Sequence, residues 1–377
     1  MWKHPSIALA CLALVASCAT TVTPAPGARD PESPIKTAPQ AIKDALVVAE
    51  RYISPANPAD ELDSLAVWSN PQGGTWVIGT AKSTHRLVVF DADSGARLRE
   101  IGRKGPALAQ FNRPNGVAVS GDVLFVVERD NHRVQMLSLP TFTALGSYGE
   151  TELRSPYGIW LHESADGELD TYVTDSFMDG DKFDVVPPLA QLDQRVRRYR
   201  VRLHGGARPT VRSLGSFGAT APDAALRIVE SIGGDPLNDR LLIAEEDTRV
   251  GTTLREYDLA GRYLERSLPK ELFHGEAEGV ALWRCSAVNG YWIAADQTSP
   301  LTIFHVFDRA ALRYRGSFTG DTTAHTDGIA LHAVATPAFP RGALLAVHDD
   351  KAVAAFDLRD IARALKLSDR CVSGNAP

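Results

Sequence analysis

The stretch His325-Thr-Asp-Gly-Ile-Ala-Leu331 sets an acidic residue and a glycine before a short apolar run. Short apolar strands of the same make recur at Ser64-Leu-Ala-Val-Trp68, Gly116-Val-Ala-Val119, Gly158-Ile-Trp-Leu161, Ser231-Ile-Gly-Gly234 and Gly279-Val-Ala-Leu282. A second apolar run follows each, as in Trp76-Val-Ile-Gly-Thr80 and Ala343-Leu-Leu-Ala-Val347. A third often ends on aspartate, as in Leu254-Arg-Glu-Tyr-Asp258 and Val353-Ala-Ala-Phe-Asp357. Small β units spaced roughly 40 to 75 residues apart predict an all-β, six-bladed β-propeller over residues 41–365. The longest interval holds an insertion around 179–194 with Pro187-Pro188, expected as a loop over one face. Residues 45–53 have no unit of their own and are expected to supply the outer strand of the last blade, closing the ring.

The chain ends carry separate signals. Lys3 and His4 precede an apolar run from Ile7 to Ala16, which is too short to span a bilayer and reads as a signal peptide, residues 1–17. Val15-Ala-Ser-Cys18 resembles the lipobox of bacterial lipoproteins, which implies lipidation of Cys18; a plain secretory signal is the alternative. Residues 18–40, rich in Pro, Ala and Thr, read as a tether, and 366–377 as a C-terminal tail. The expected location is the bacterial cell envelope, as an outer-membrane lipoprotein facing the periplasm or the exterior, held to the membrane by its lipid alone. With Cys11 in the signal and Cys18 lipidated, only Cys285 and Cys371 remain, and they are free to pair in an oxidising compartment. A net charge of -6 leaves no basic footprint for nucleic acid. The cluster Arg195-Val-Arg-Arg-Tyr-Arg200 reads as a solvated strand, and a monomer is expected.

In a propeller the first strand of each unit lines the channel, so one repeat position converges on the axis. Here that position reads Asp63, Asn115, Tyr157, Glu230, Glu278 and Asp327. Carboxylates crowded in this way repel one another unless a cation sits among them, and hard oxygen donors without His or Cys suit Ca²⁺. Glycine after four of these residues lets the backbone come close. A turn-forming role explains any one of them taken alone. A second ring stands where the second strands end, at Lys82, Arg129, Asp175 or Ser176, Glu246, Gln297 and Asp349, with charges suited to an anionic substrate bridged to calcium.

These residues resemble the β-propeller phytases, calcium-dependent phosphatases of myo-inositol hexakisphosphate, from about Asp60 to Asp357. The most specific likeness is Glu230-Ser-Ile-Gly-Gly-Asp-Pro-Leu-Asn-Asp-Arg-Leu-Leu-Ile-Ala-Glu-Glu-Asp247, with Glu230 and Glu246 at the family's spacing. The resemblance implies calcium ligands at Asp60, Asp63, Glu230, Glu246, Glu278, Asp321 and Asp327, and a phosphate-bridging Tyr157. Lys82, Arg129 and Gln297 match substrate-binding positions, and Tyr157, Lys82 and Arg129 would carry catalysis. Departures are Ser64 where the family has a second aspartate, His325 where a carboxylate is expected, and no lysine at the phosphate-gripping place in Tyr172-Val-Thr-Asp-Ser-Phe177. The unit Phe111-Asn-Arg-Pro-Asn-Gly-Val-Ala-Val119 with Asp130-Asn-His-Arg133 looks more like an NHL repeat.

The expected function is therefore an exported, calcium-dependent phosphomonoesterase acting on a phosphorylated small molecule of the inositol phosphate kind. Two alternatives stay open on the same architecture. One is a metal-dependent lactonase or esterase, and the other a non-catalytic, lipid-anchored binding propeller.

Overall fold

The structure is a computed structural model and describes Met1 and residues 36–204 and 207–371. The fold is an all-β β-propeller. Among the described residues the strands form six sheets, met in chain order, each with its first strand innermost. The inner strands are Leu62–Ser69, Pro114–Ser120, Pro156–Ala165, Ile232–Asp235, Glu276–Arg284 and Ile329–His332. Each touches the next, and the last returns to touch the first. Antiparallel partners follow outward, as in Thr75–Ala81, Arg86–Asp91 and Arg97–Ile101 of the first sheet.

The apolar runs are continuous because middle strands are covered on both faces. Ala343–His348 and Arg240–Glu245 are buried at every residue. Buried side chains gather into clusters between neighbouring sheets, for example Leu62, Val77, Leu345 and Val353 between the first and sixth. Trp292 fills the same role between the fourth and fifth.

Glycine sets how closely the inner strands meet. A Cβ on Gly328 would collide with the Asp63 carbonyl of the first sheet, and one on Gly158 with the Glu230 carbonyl of the fourth. The Thr174 hydroxyl donates to the same Glu230 oxygen (2.7 Å), and that of Thr80 donates to the Asn115 carbonyl (2.5 Å), so the strand openings are tied together around the axis.

The expected closing segment divides. Only Tyr52–Ile53 pairs with the sixth sheet, Ile53 opposite Ala354, whereas Leu46–Val47 runs parallel to Phe318–Thr319 on the fifth. Glu50 fixes the crossing between them: its carboxylate accepts from the backbone amides of Asp321 (3.0 Å), Thr322 (3.1 Å) and Thr323 (2.8 Å). The tether boundary drawn at residue 40 falls inside ordered chain, since Lys36–Thr37 pairs with Thr298–Ser299 and Pro39–Asp44 is helical. At the other end, Leu367 is buried and Cys371 forms a disulfide with Cys285, so the tail boundary at 366 also lies within the packed body. The expected signal peptide and the lipidation expected at Cys18 lie outside the described residues. No helix among the described residues is long and apolar enough to cross a membrane.

In the long insertion, an isolated bridge joins Asp179 to Val185 and a 3-10 turn covers Leu189–Gln194. Arg195 is not a solvated strand residue. It is fully buried and its guanidinium donates to the carbonyls of Asp175 (3.0 Å), Phe177 (2.7 Å), Leu226 (3.1 Å) and Arg227 (2.6 Å), which ties the insertion to the chain entering the fourth sheet. The second sheet holds an analogous clamp: buried Glu128 accepts from Arg133 Nε (2.7 Å), Gln135 Nε2 (2.6 Å) and Asn131 Nδ2 (2.5 Å). Asn131 and Arg133 of its Asn-His-Arg sequence thus belong to this clamp.

Candidate metal centre on the propeller axis

The openings of the inner strands enclose a small axial cavity of about 20 Å³, lined by Asp63, Ser64, Tyr157, Glu230, Glu278 and Asp327 together with Gly158 and Ser231. That volume accommodates one water-sized body and excludes an organic substrate, which would have to sit at the mouth.

Glu230, Glu246 and Glu278 converge on this point, with one carboxylate oxygen of each lying within 4.8 Å of the others. Glu246 enters from the end of Arg240–Glu245 and is 2% exposed. Its Oε1 is buried without a hydrogen-bond partner. Burial pushes the Glu246 carboxyl well above the usual carboxylate range, and the charges of Glu278, Glu230 and Glu276 push it further. Glu278 is raised in the same way by burial and then by Glu230, Asp327, Glu276 and Asp63. Ca²⁺ holds oxygen donors at about 2.3–2.6 Å, so ligand oxygens across one ion lie up to about 5 Å apart. The all-oxygen donor set, the spacing and the orphaned Glu246 oxygen fit such an ion.

The remaining expected ligands are placed differently. Asp63 and Asp327 face the axis but share the ammonium of Lys82, at 3.1 and 3.4 Å. Gln297 donates to the other oxygen of Asp327, and Asn115 Nδ2 to Asp63 (3.3 Å), while Asn115 Oδ1 is buried without a partner. Asp60 is not at the axis. It is fully buried over the outer part of the first sheet, accepting from Arg97 (2.6 Å), Thr84 (2.8 Å) and Asn57 (3.0 Å). Asp321 is exposed, stands just after the outer strand of the fifth sheet, and is not among the residues that line the axial cavity. His325, two residues before Asp327, turns to Asp350 (3.9 Å).

Of the second ring, Lys82, Glu246 and Gln297 turn inward. Asp175 instead caps the backbone amide of Ser155 (2.6 Å), Ser176 Oγ accepts from the Val229 amide (3.1 Å), and Asp349 pairs with Lys351 (2.6 Å). Arg129 is buried, with Nε donating to Asp130 (2.7 Å), and Tyr157 is buried in the cavity wall. Sequence reasoning missed Glu276, whose charge raises both buried glutamates; the signal for it was its place two residues before Glu278 in Glu276-Ala-Glu278.

Comparison with known proteins adds one sequence match: residues 111–136 match the NHL repeat, within the second sheet. No curated protein matches the chain. Among solved structures it is similar to Kuenenia stuttgartiensis hydrazine synthase, with 15% identity, 84% of this chain and 82% of that one covered, and a TM-score of 0.46. It is also similar to the β-propeller domain of Cps50 (Swd1) from Myceliophteria thermophila, with 12% identity, coverage of 81% and 98%, and a TM-score of 0.44.

Proposed function

We propose that the chain is a six-bladed, calcium-dependent phosphomonoesterase of phytase type, exported to the cell envelope and anchored there by lipid at Cys18. One observation carries the reading: the convergence of Glu230, Glu246 and Glu278, with a buried Glu246 oxygen that has no partner. The Cys285–Cys371 disulfide suits an oxidising compartment.

Glu230, Glu246 and Glu278 would hold the cation. When bound, it would neutralise phosphate charge and lower the pKa of an attacking water. Tyr157 would donate from its hydroxyl to a phosphate oxygen seated at the mouth. Lys82, held between Asp63 and Asp327, would keep that side of the ring neutral and orient both carboxylates, with Gln297 fixing Asp327. The small cavity would keep the ester outside, so the substrate would present only its phosphate to the axis.

A second reading, a non-catalytic binding propeller, rests on the cations expected to grip phosphate. Lys82 is engaged by two aspartates and Arg129 by Asp130. The test is calorimetric calcium titration alongside phosphate release from myo-inositol hexakisphosphate. Release should rise with calcium and fall at least about 100-fold in Glu246→Gln, given what losing one metal ligand costs. Calcium binding without release would favour the binding propeller. No release and no binding by the folded protein would overturn both.

A further inference from the structure

A second, much larger cavity lies far from the acidic ring. Glu278 stands near the start of its inner strand, and Arg284 at its end, about 20 Å away along the chain. Around Arg284, the turns that leave the inner strands of the fourth, fifth and sixth sheets enclose about 740 Å³, a size ordinary for small-molecule sites.

The charge of this cavity is one-sided. Arg284, Arg341 and Arg370 line it, and no carboxylate does among the described residues. None of the three arginine side chains has an ion-pair partner among the described residues. Arg309, also in the wall, is by contrast saturated by Asp235 (2.6 Å) and by the carbonyls of Ser286 and Ala287. Arg240 likewise has Glu256 (2.6 Å). Three guanidiniums in one concavity, with no ion-pair partner among the described residues, repel one another and favour an anion between them. His332 adds a buried Nε2 without a partner, and burial pushes this imidazole below its usual range, so that it is neutral at pH 7.

The walls are apolar. Leu237 and Val334 are more than half exposed at the rim, while Leu282, Leu331 and Pro340 continue the surface inward. The 3-10 turn Asp369–Cys371, held by the disulfide to Cys285, completes the wall and carries Arg370. Guanidiniums above an apolar floor match a ligand with a charged head and an apolar body.

We propose that this cavity is a second ligand site, distinct from the axial one, for an oxyanion carried on an apolar body, an alkyl or aryl phosphate or carboxylate. It does not depend on the reading of the axial centre. The experiment is isothermal titration of the full-length protein with octyl phosphate, octanoate, inorganic phosphate and octyl glucoside, in the presence of a calcium chelator. At least one of the two amphiphilic anions should bind with one-to-one stoichiometry, and which one binds tighter identifies the head group. Inorganic phosphate should bind at least about tenfold more weakly, and Arg284→Gln with Arg341→Gln should weaken the anion at least about tenfold. Both arginines reach solvent and have no ion pair to lose, so the melting temperature of the double variant should be unchanged. Equal affinity of wild type and double variant would overturn the proposal, as would octyl glucoside binding as tightly as the anions or no binding of either anion. Arg370→Gln provides an independent check, with the same outcomes.

Discussion

Lys82 determines whether the axial ring is stable without a metal ion. Its ammonium is almost fully buried between Asp63 and Asp327, so removing it would leave two carboxylates with little water and no counter-ion. Lys82→Met should destabilise the calcium-free protein by about 3 kcal/mol or more, and calcium should restore much of that loss; urea denaturation with and without calcium checks it. Glu246 and Glu278 act in the opposite sense. Their carboxyls are raised above the ordinary value of 4.5, so the native state keeps protons that the unfolded chain gives up. Their contribution to stability is present at low pH and declines as pH rises above that value. A cation entering among them must displace those protons, so calcium affinity should rise with pH, and calorimetry in buffers of different ionisation enthalpy should register proton release. An affinity independent of pH would show that the glutamates are already ionised. At this scale the repeat position revealed which residues meet at the axis, because a strand opening is a local pattern. It gave no sign that Lys82 would take Asp63 and Asp327 for itself, nor that Asp60 would turn to Arg97, since both depend on contacts between residues far apart in the sequence.

At the scale of elements, the Asp-Gly opening joins two roles in adjacent positions. Asp327 faces the axis, while Gly328 admits the Asp63 carbonyl of the neighbouring sheet. Gly328→Ala should therefore cost about 1–3 kcal/mol by overpacking and displace the carboxylates on both sides, lowering the thermal midpoint and the calcium affinity together. The disulfide has a separate function, closing the chain over 86 residues and holding the wall that carries Arg370. Cys371→Ser should lose about 3–5 kcal/mol by the chain-entropy estimate, measured by denaturant unfolding, with the axial calcium affinity retained. The strands were readable because alternating and continuous apolar runs follow from burial on one or both faces. The division of residues 45–53 between two sheets was not, because Glu50 finds its first partner 271 residues away.

For the whole molecule, closure of the ring depends on a segment near the start of the described chain. Tyr52–Ile53 covers the outer edge of the sixth sheet, and Arg51 holds Asp360 (2.6 Å). Removing residues 1–54 should expose a bare strand edge, lower the melting temperature and promote aggregation, readable by light scattering.

That closing strand also sets an order of events during synthesis. Tyr52 and Ile53 leave the ribosome long before Ala354 and Ala355, the residues they pair with. The earliest part of the fold must therefore stay unpaired until almost the whole chain exists, and ring closure is a late, non-local step.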